Sequence, residues 1–142
     1  YARGALLGVT RGTSKAHLCR AVLESIAYES LDLFRAMEAG SGVQISELRV
    51  DGGASRSRFL MQYQADILHC AVRQPVCLET TALGSAMLAG LAVGVWDSLE
   101  ELSTIWKLGH AYAPQIEPGE EEPALRRWHR AVERSRNWAN AE

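Results

Sequence analysis

Apolar positions early in the chain recur every three or four residues, which is the spacing of one face of a helix. They are Leu18, Val22, Ile26, Leu33 and Met37. This spacing predicts a long helix over 15–39, with Thr13 or Ser14 as its N-cap and Gly40 as its stop signal. Before the helix, the apolar run 5–9 predicts a short extended strand.

A second helical stripe lies between two short extended runs. Residues 47–50 and 71–73 have the composition of strands, and Pro75 confines the second to a sheet edge or a strand end. The stripe between them predicts a helix that opens near Ser57 and packs against the core. Its apolar residues are Phe59, Leu60, Tyr63, Ile67 and Leu68.

The last third of the chain predicts three further helices. One covers 82–91 after the caps Thr80 and Thr81, a short one covers 99–106, and a terminal amphipathic helix covers 120–141. Strands and helices in this alternating order are typical of a parallel α/β arrangement.

The number of strand candidates is small for such a fold. Two or three strands are fewer than an α/β sheet needs to cover its helices. We therefore expect further strands upstream, and a first residue that is Tyr1 agrees with a piece cut from a longer protein. A natural short product is the alternative.

Two adjacent glycines, Gly52 and Gly53, stand where the strand over 47–50 ends and a helix follows. Glycine lets the backbone adopt a positive φ and lets a flat ligand approach closely. Ligands usually lie at the carboxyl ends of strands in α/β sheets. The pattern therefore favours a nucleotide-like group against this pair, although a tight turn without a ligand fits the same residues.

Arg56 and Arg58 flank Ser57 at the opening of the next helix. Free N–H groups and the helix dipole favour polar or anionic partners at such a position. Both side chains are long enough to reach a phosphate, but we expect both to be exposed to solvent.

Composition and charge narrow the classes of function. The 142 residues are 47% hydrophobic and 23% charged, which is typical of one globular domain. A net charge of −2 argues against binding nucleic acid. The most apolar stretch, 82–96, is too short and too rich in glycine for membrane insertion, and we expect a buried, closely packed helix there.

The three cysteines, Cys19, Cys70 and Cys77, have no metal-ligand spacing. We expect buried, inert thiols in a reducing compartment.

Motifs of a known family extend over most of the chain. They occupy residues 4–9 with 17–24, residues 50–54 with 59–62, and residues 79–94. On these motifs the chain resembles the carboxyl-terminal part of the FGGY family of carbohydrate kinases. The three sets are similar to the family's second signature, its adenosine motif and its interdomain connecting helix. Residues 79–84 and the ending at 92–96 resemble glycerol kinases more than xylulose or gluconate kinases.

The resemblance implies a partial ribonuclease-H-like fold of the actin-like ATPase type. All of 1–142 would belong to the carboxyl-terminal half of the second, ATP-binding domain. It implies transfer of the γ-phosphoryl group of ATP, with Mg²⁺, to a glycerol hydroxyl, giving glycerol 3-phosphate and ADP. It also implies a cytoplasmic homo-oligomer.

The same resemblance assigns the nucleotide contacts of this chain to Gly52, Gly53, Ala54 and Ser57. Gly53 matches a glycine whose backbone contacts the nucleotide, and Ser57 stands where glycerol kinases usually carry Asn. No catalytic or metal-ligating residue is expected here, because none of the aspartates matches the catalytic position of the family. They are Asp32, Asp51, Asp66 and Asp97. The chain alone is therefore expected to be inactive.

Two other functions stay open on the sequence. One is another polyol or sugar kinase of the same family, because the substrate-binding residues of these enzymes lie upstream of this region. The other is a non-catalytic remnant that binds a nucleotide or a partner protein.

Overall fold

The computed structural model describes residues 2–139. Helices and strands alternate along the chain, with one short 3-10 turn, Gly53–Arg56, between the first strand and the second helix. The elements are α1 Lys15–Ser41, β1 Glu47–Arg49, α2 Arg58–Leu68, β2 Ala71–Pro75, α3 Thr80–Ala92, α4 Leu99–Ser103, β3 Leu108–Tyr112 and α5 Glu122–Ser135.

The three strands form one sheet in the order β1-β2-β3. β1 and β2 are parallel, with Leu48 opposite Val72, as the sequence predicted. β3, which the sequence did not predict, runs antiparallel to β2 with Val72 opposite Tyr112, so the sheet is mixed. β2 is central, and Pro75 is its last residue, at a register shift where a missing N–H is tolerated.

The predicted long helix is present, and its ends have clear causes. The Ser14 hydroxyl accepts from the amide of His17, and the His17 side chain accepts from the Ser14 amide, which forms a capping box. The helix continues through Gly40, contrary to the predicted stop, and ends where Gly42 adopts φ 69°. The Gly42 amide donates to the carbonyl of Glu38 at 2.8 Å. The positive φ at Gly42, and not glycine as such, ends the helix.

The buried face of α1 differs from the stripe that predicted the helix. Most of that stripe is exposed, and the buried residues of α1 are Ala27, Tyr28, Leu31 and Phe34. They pack on α2, whose Leu60, Ile67 and Leu68 are buried as predicted, while Phe59 is exposed and Tyr63 is half-buried. Val72 of β2 is fully buried beneath them. The core therefore lies between the two helices and the sheet.

The terminal helix is shorter than predicted and docks on α1. The helix was predicted over 120–141 and is observed over Glu122–Ser135. Residues 140 and 141 lie outside the described residues. Asp32 accepts from Trp128 Nε1 at 2.9 Å and lies 3.0 Å from His129 Nε2. Burial raises the pKa of the Asp32 carboxyl, but these two hydrogen bonds outweigh burial and bring the pKa below its ordinary value.

The expected strand over 5–9 is absent. Those residues are exposed and have no regular secondary structure. A strand exists only through hydrogen bonds to a neighbouring strand, and the three strands of the described chain, residues 2–139, pair only with one another.

The apolar stretch 82–96 is helical over most of its length but is not buried as expected. Gly90 is the one buried residue of α3, and Leu88, Val93 and Val95 are exposed. The helix also begins earlier than predicted. Thr80 and Thr81 lie in its first turn, and Glu79 is the N-cap residue without a side-chain capping bond.

The cysteine prediction holds for one residue of three. Cys70 is buried, and burial raises the pKa of its thiol. Cys19 and Cys77 are exposed. Cys19 lies on the exposed side of α1, and Cys77 follows β2 at the surface.

Trp96 packs directly onto α3 at Gly90. A Cβ built on Gly90 would lie 2.5 Å from Cε3 of the Trp96 ring, which is closer than carbon atoms approach. We expect Gly90→Ala to lower the free energy of unfolding by about 1–3 kcal/mol, because the ring must move. Urea unfolding followed by tryptophan fluorescence measures this.

Gly84 provides the matched control in the same helix, since a Cβ there meets nothing within 4 Å. Gly84→Ala should stabilise the helix by about 0.5–1 kcal/mol, because alanine loses less backbone entropy. Equal stabilities of the two variants would show that Trp96 does not restrict Gly90.

Candidate functional site

The turn between β1 and α2 is held in place by the backbone of Gly52. Gly52 has φ 74° and ψ −177°, a conformation that residues with a Cβ rarely adopt. Its amide donates to the carbonyl of Leu78 at 2.8 Å, and Val50 donates to the carbonyl of Arg73 at 3.0 Å. These two bonds tie the end of β1 to β2 and the residues after it. The predicted positive φ is therefore present at Gly52, whereas Gly53 does not have one.

Two buried polar residues support the turn from below. Ser55 Oγ donates to the Gly52 carbonyl at 2.7 Å, and Gln74 Nε2 donates to the Ser55 carbonyl at 2.6 Å. Ser55 is 2% exposed and Gln74 is 6% exposed, so neither exchanges these bonds for water. Gln74 belongs to β2, and its amide therefore fixes the 3-10 turn against the sheet.

The residues expected to contact a nucleotide form the outer surface of this turn. Gly53 and Ala54 are exposed, and a Cβ built on Gly53 meets nothing within 4 Å. Ser57 is half-buried, and its Oγ accepts from the amide of Leu60 at 3.3 Å as the N-cap of α2. The helix thus opens at Ser57, as predicted. The four expected contacts, Gly52, Gly53, Ala54 and Ser57, therefore lie in one turn, and the space in front of Gly53 is open.

A cleft of about 490 Å³ lies beside the turn, between the start of α2 and the paired strands β2 and β3. Arg56 and Arg58 line it, and both are exposed, as the sequence predicted. His110 and Tyr112 of β3 line it as well, and sequence reasoning did not find them. No signal pointed to them, because β3 was not predicted.

Neither a metal centre nor a membrane-spanning helix is found in the described part of the chain. Within residues 2–139, no group of three His, Cys, Asp or Glu side chains is placed to hold a metal ion. In the same residues, no helix is both long and apolar enough to cross a bilayer.

A family model decides the classification. The model of the carboxyl-terminal domain of the FGGY family of carbohydrate kinases matches residues 1–93. The chain belongs to this family. The resemblance to its carboxyl-terminal part is thereby confirmed, and the matched region includes the whole turn from Gly52 to Ser57.

Similar sequences among characterised proteins are glycerol kinases. The chain is 56% identical over 138 residues to the glycerol kinases of Janthinobacterium sp. (strain Marseille) and Petrotoga mobilis. Each alignment covers 97% of this chain and 28% of the relative. The chain therefore spans little more than a quarter of the length of these relatives.

Solved structures give the same result for the fold. The crystal structure of Plasmodium falciparum glycerol kinase with ADP is similar at a TM-score of 0.80 and 31% identity. The similar region covers 94% of this chain and 27% of that protein. A xylulose kinase from Lactobacillus acidophilus is similar at a TM-score of 0.71 and 23% identity over 97% of this chain and 28% of that protein. At this identity the similarity shows the shared fold alone. The predicted α/β fold of the carboxyl-terminal part of these kinases is confirmed.

The hydrogen bond from Gln74 to Ser55 predicts a measurable loss of stability. Gln74→Leu removes a buried donor and leaves the Ser55 carbonyl without its partner, which should cost about 1–3 kcal/mol of unfolding free energy. Urea denaturation followed by circular dichroism measures the change.

Gln44→Leu is the control for this substitution. Gln44 is exposed between α1 and β1, so the same substitution there should change stability by less than about 0.5 kcal/mol. If both variants unfold at the same urea concentration, the Gln74 amide does not hold the turn.

Proposed function

We propose that this chain is the nucleotide-binding portion of an ATP-dependent glycerol kinase, which transfers the γ-phosphoryl group of ATP to a glycerol hydroxyl. The observation that carries the proposal is 56% identity to glycerol kinases over 97% of the chain. Similarity to the ADP-bound glycerol kinase of Plasmodium falciparum supports it. Because the chain spans 28% of the relatives' length, the activity belongs to a larger protein that includes it.

The geometry of the turn supports a role in holding the adenosine part of ATP. Gly53 and Ala54 present backbone at the surface, and the space in front of Gly53 is open to a flat group. Gln74 and Ser55 hold this backbone rigidly from the opposite side. A preorganised surface binds more tightly because less freedom is lost on binding. The residues present therefore fit a nucleoside, with Gly52, Gly53, Ala54 and Ser57 as its contacts.

The remaining parts of the reaction require groups from outside this chain. Phosphoryl transfer to an alcohol needs a base for the hydroxyl proton and Mg²⁺ beside the phosphates. Because the chain spans only 28% of the relatives' length, we place the Mg²⁺ ligands, the base and the glycerol contacts on the rest of the enzyme. The complete kinase is proposed to be a cytoplasmic homo-oligomer.

The chain alone is expected to lack kinase activity. With ATP, Mg²⁺ and glycerol, it should release ADP no faster than the buffer, because no base for the glycerol hydroxyl is assigned to it. A coupled ADP-release assay measures this, and a complete glycerol kinase in the same assay is the positive control. Glycerol-dependent turnover by the chain would place the active site within these residues.

The Gly53→Val substitution tests the proposed nucleotide contact in the complete kinase. Gly53 has no positive φ and open space around it, so the fold should accept valine. The added side chain would occupy the space proposed for adenosine. We expect the KM for ATP to rise far more than the KM for glycerol, with a smaller effect on kcat, because Gly53 touches no transferring atom.

Two substitutions at Ser57 test whether its polar side chain supports nucleotide binding. Ser57→Ala removes the cap bond to Leu60 and the proposed ligand contact, with a loss of about 0.5–1.5 kcal/mol for each hydrogen bond. Ser57→Asn keeps an oxygen that caps the helix and offers an amide to the ligand, so its KM for ATP should stay near the wild-type value.

The Gly53→Val result decides the nucleotide contact. If this variant weakens glycerol binding and leaves ATP dependence unchanged, the turn does not contact the nucleotide.

A further inference from the structure

The cleft beside the turn carries positive charge without compensating carboxylates. Its volume is about 490 Å³, within the range of about 300–1,000 Å³ typical of small-molecule sites. Arg56, Arg58 and His110 line it, and no acidic residue does.

Neither Arg56 nor Arg58 has an ion pair, since among residues 2–139 neither guanidinium lies within ion-pair distance of a carboxylate. Arginines that do pair with a glutamate are Arg20, Arg49, Arg73, Arg126 and Arg136. Two like charges that face one cleft repel each other, and an anion bound between them would relieve this repulsion.

Arg56 and Arg58 reach the cleft from two different elements. Arg56 ends the 3-10 turn and Arg58 begins α2, and Ser57 lies between them with φ −77° and ψ 102°. Both arginines line the cleft. The Ser57 hydroxyl is the N-cap of α2 and accepts from the amide of Leu60.

The other walls of the cleft are rigid and partly apolar. A Cβ on Gly109 would lie 3.0 Å from the carbonyl carbon and oxygen of Pro75, so β3 lies directly against the end of β2 there. Gln74 is fixed by its bond to Ser55. Pro75, Val76 and Leu78 provide apolar surface. The arrangement suits a ligand with a charged group and a small apolar body.

We propose that this cleft binds a small phosphorylated organic molecule at a site next to, and distinct from, the proposed nucleotide contacts Gly53 and Ala54. Guanidinium groups match the oxygens of a phosphate through paired hydrogen bonds, and two of them balance its double charge. The phosphate lies between Arg56 and Arg58, and the organic part lies toward Val76 and Leu78. The inference stands on the cleft alone and does not depend on the proposed kinase function.

The experiment is calorimetric titration of the protein with phenyl phosphate at low salt, with phenol as the uncharged comparison. The wild-type protein should bind phenyl phosphate and not phenol. The double variant Arg56→Gln/Arg58→Gln should bind it at least about tenfold more weakly, since both charged hydrogen-bond donors to the phosphate are lost. Arg130→Gln/Arg134→Gln, which removes two exposed charges from α5, is the matched control and should bind like the wild type.

Repeating the titration with excess ADP separates the two sites. The affinity for phenyl phosphate should be unchanged if the cleft is separate from the nucleotide site. Displacement by ADP would overturn the proposal of a separate site. An equal loss in both double variants, or no binding by the wild type, would overturn the proposed ligand class. A failure of the kinase assays would leave this result unaffected, so the two proposals fail independently.

Discussion

The amide of Gly52 donates to the carbonyl of Leu78 at 2.8 Å, and the turn that carries the candidate site depends on this bond. The bond requires the chain to reverse sharply after Val50, which Gly52 permits through its positive φ. Ser55 then closes back on the Gly52 carbonyl, and Gln74 fixes Ser55 to the sheet. Each bond orients the donor or acceptor that the next one uses, so the turn is rigid although its outer face is exposed.

The two faces of this rigid turn suit two different kinds of ligand. Gly53 and Ala54 present backbone to open space, which suits contact with a flat, neutral group. Arg56 and Arg58 face the cleft on the side of β3, which suits an anion. The single extended residue Ser57 separates these faces, since its own side chain caps α2. One short segment therefore positions both proposed ligand contacts.

Local signals in the sequence predicted the elements whose cause is local. Ser14 and Ser57 cap their helices as serines do, and the strand ending before Gly52 follows from the glycine pair. β3 was missed because Gly109 and His110 carry no strand signal, and the segment is extended only because β2 offers it hydrogen bonds. The buried face of α1 differs from the apolar stripe that predicted the helix for the same reason. Several apolar faces are available on that helix, and the position of α2 decides which one is covered.

The exposed apolar surface of α3 is explained by the proposed function. Leu88 of α3 is open to solvent, as are Val93 and Val95 just after its end, and a helix with no charged residue needs a packing partner. In the proposed kinase, that partner is part of the larger enzyme. The sequence resemblance identified this helix as an interdomain element, and its exposure agrees with that role. The expectation of burial considered the helix without its partner.

The account's central claim is that the outer face of the turn contacts the nucleotide, and hydrogen–deuterium exchange of the complete kinase with and without ADP tests it most directly. The exposed amides of Gly53 and Ala54 should exchange rapidly in the free enzyme and more slowly with ADP bound. The peptide from α5 should exchange equally in both states. Protection that is absent from the peptide spanning residues 52–57, while ADP demonstrably binds, would contradict the account.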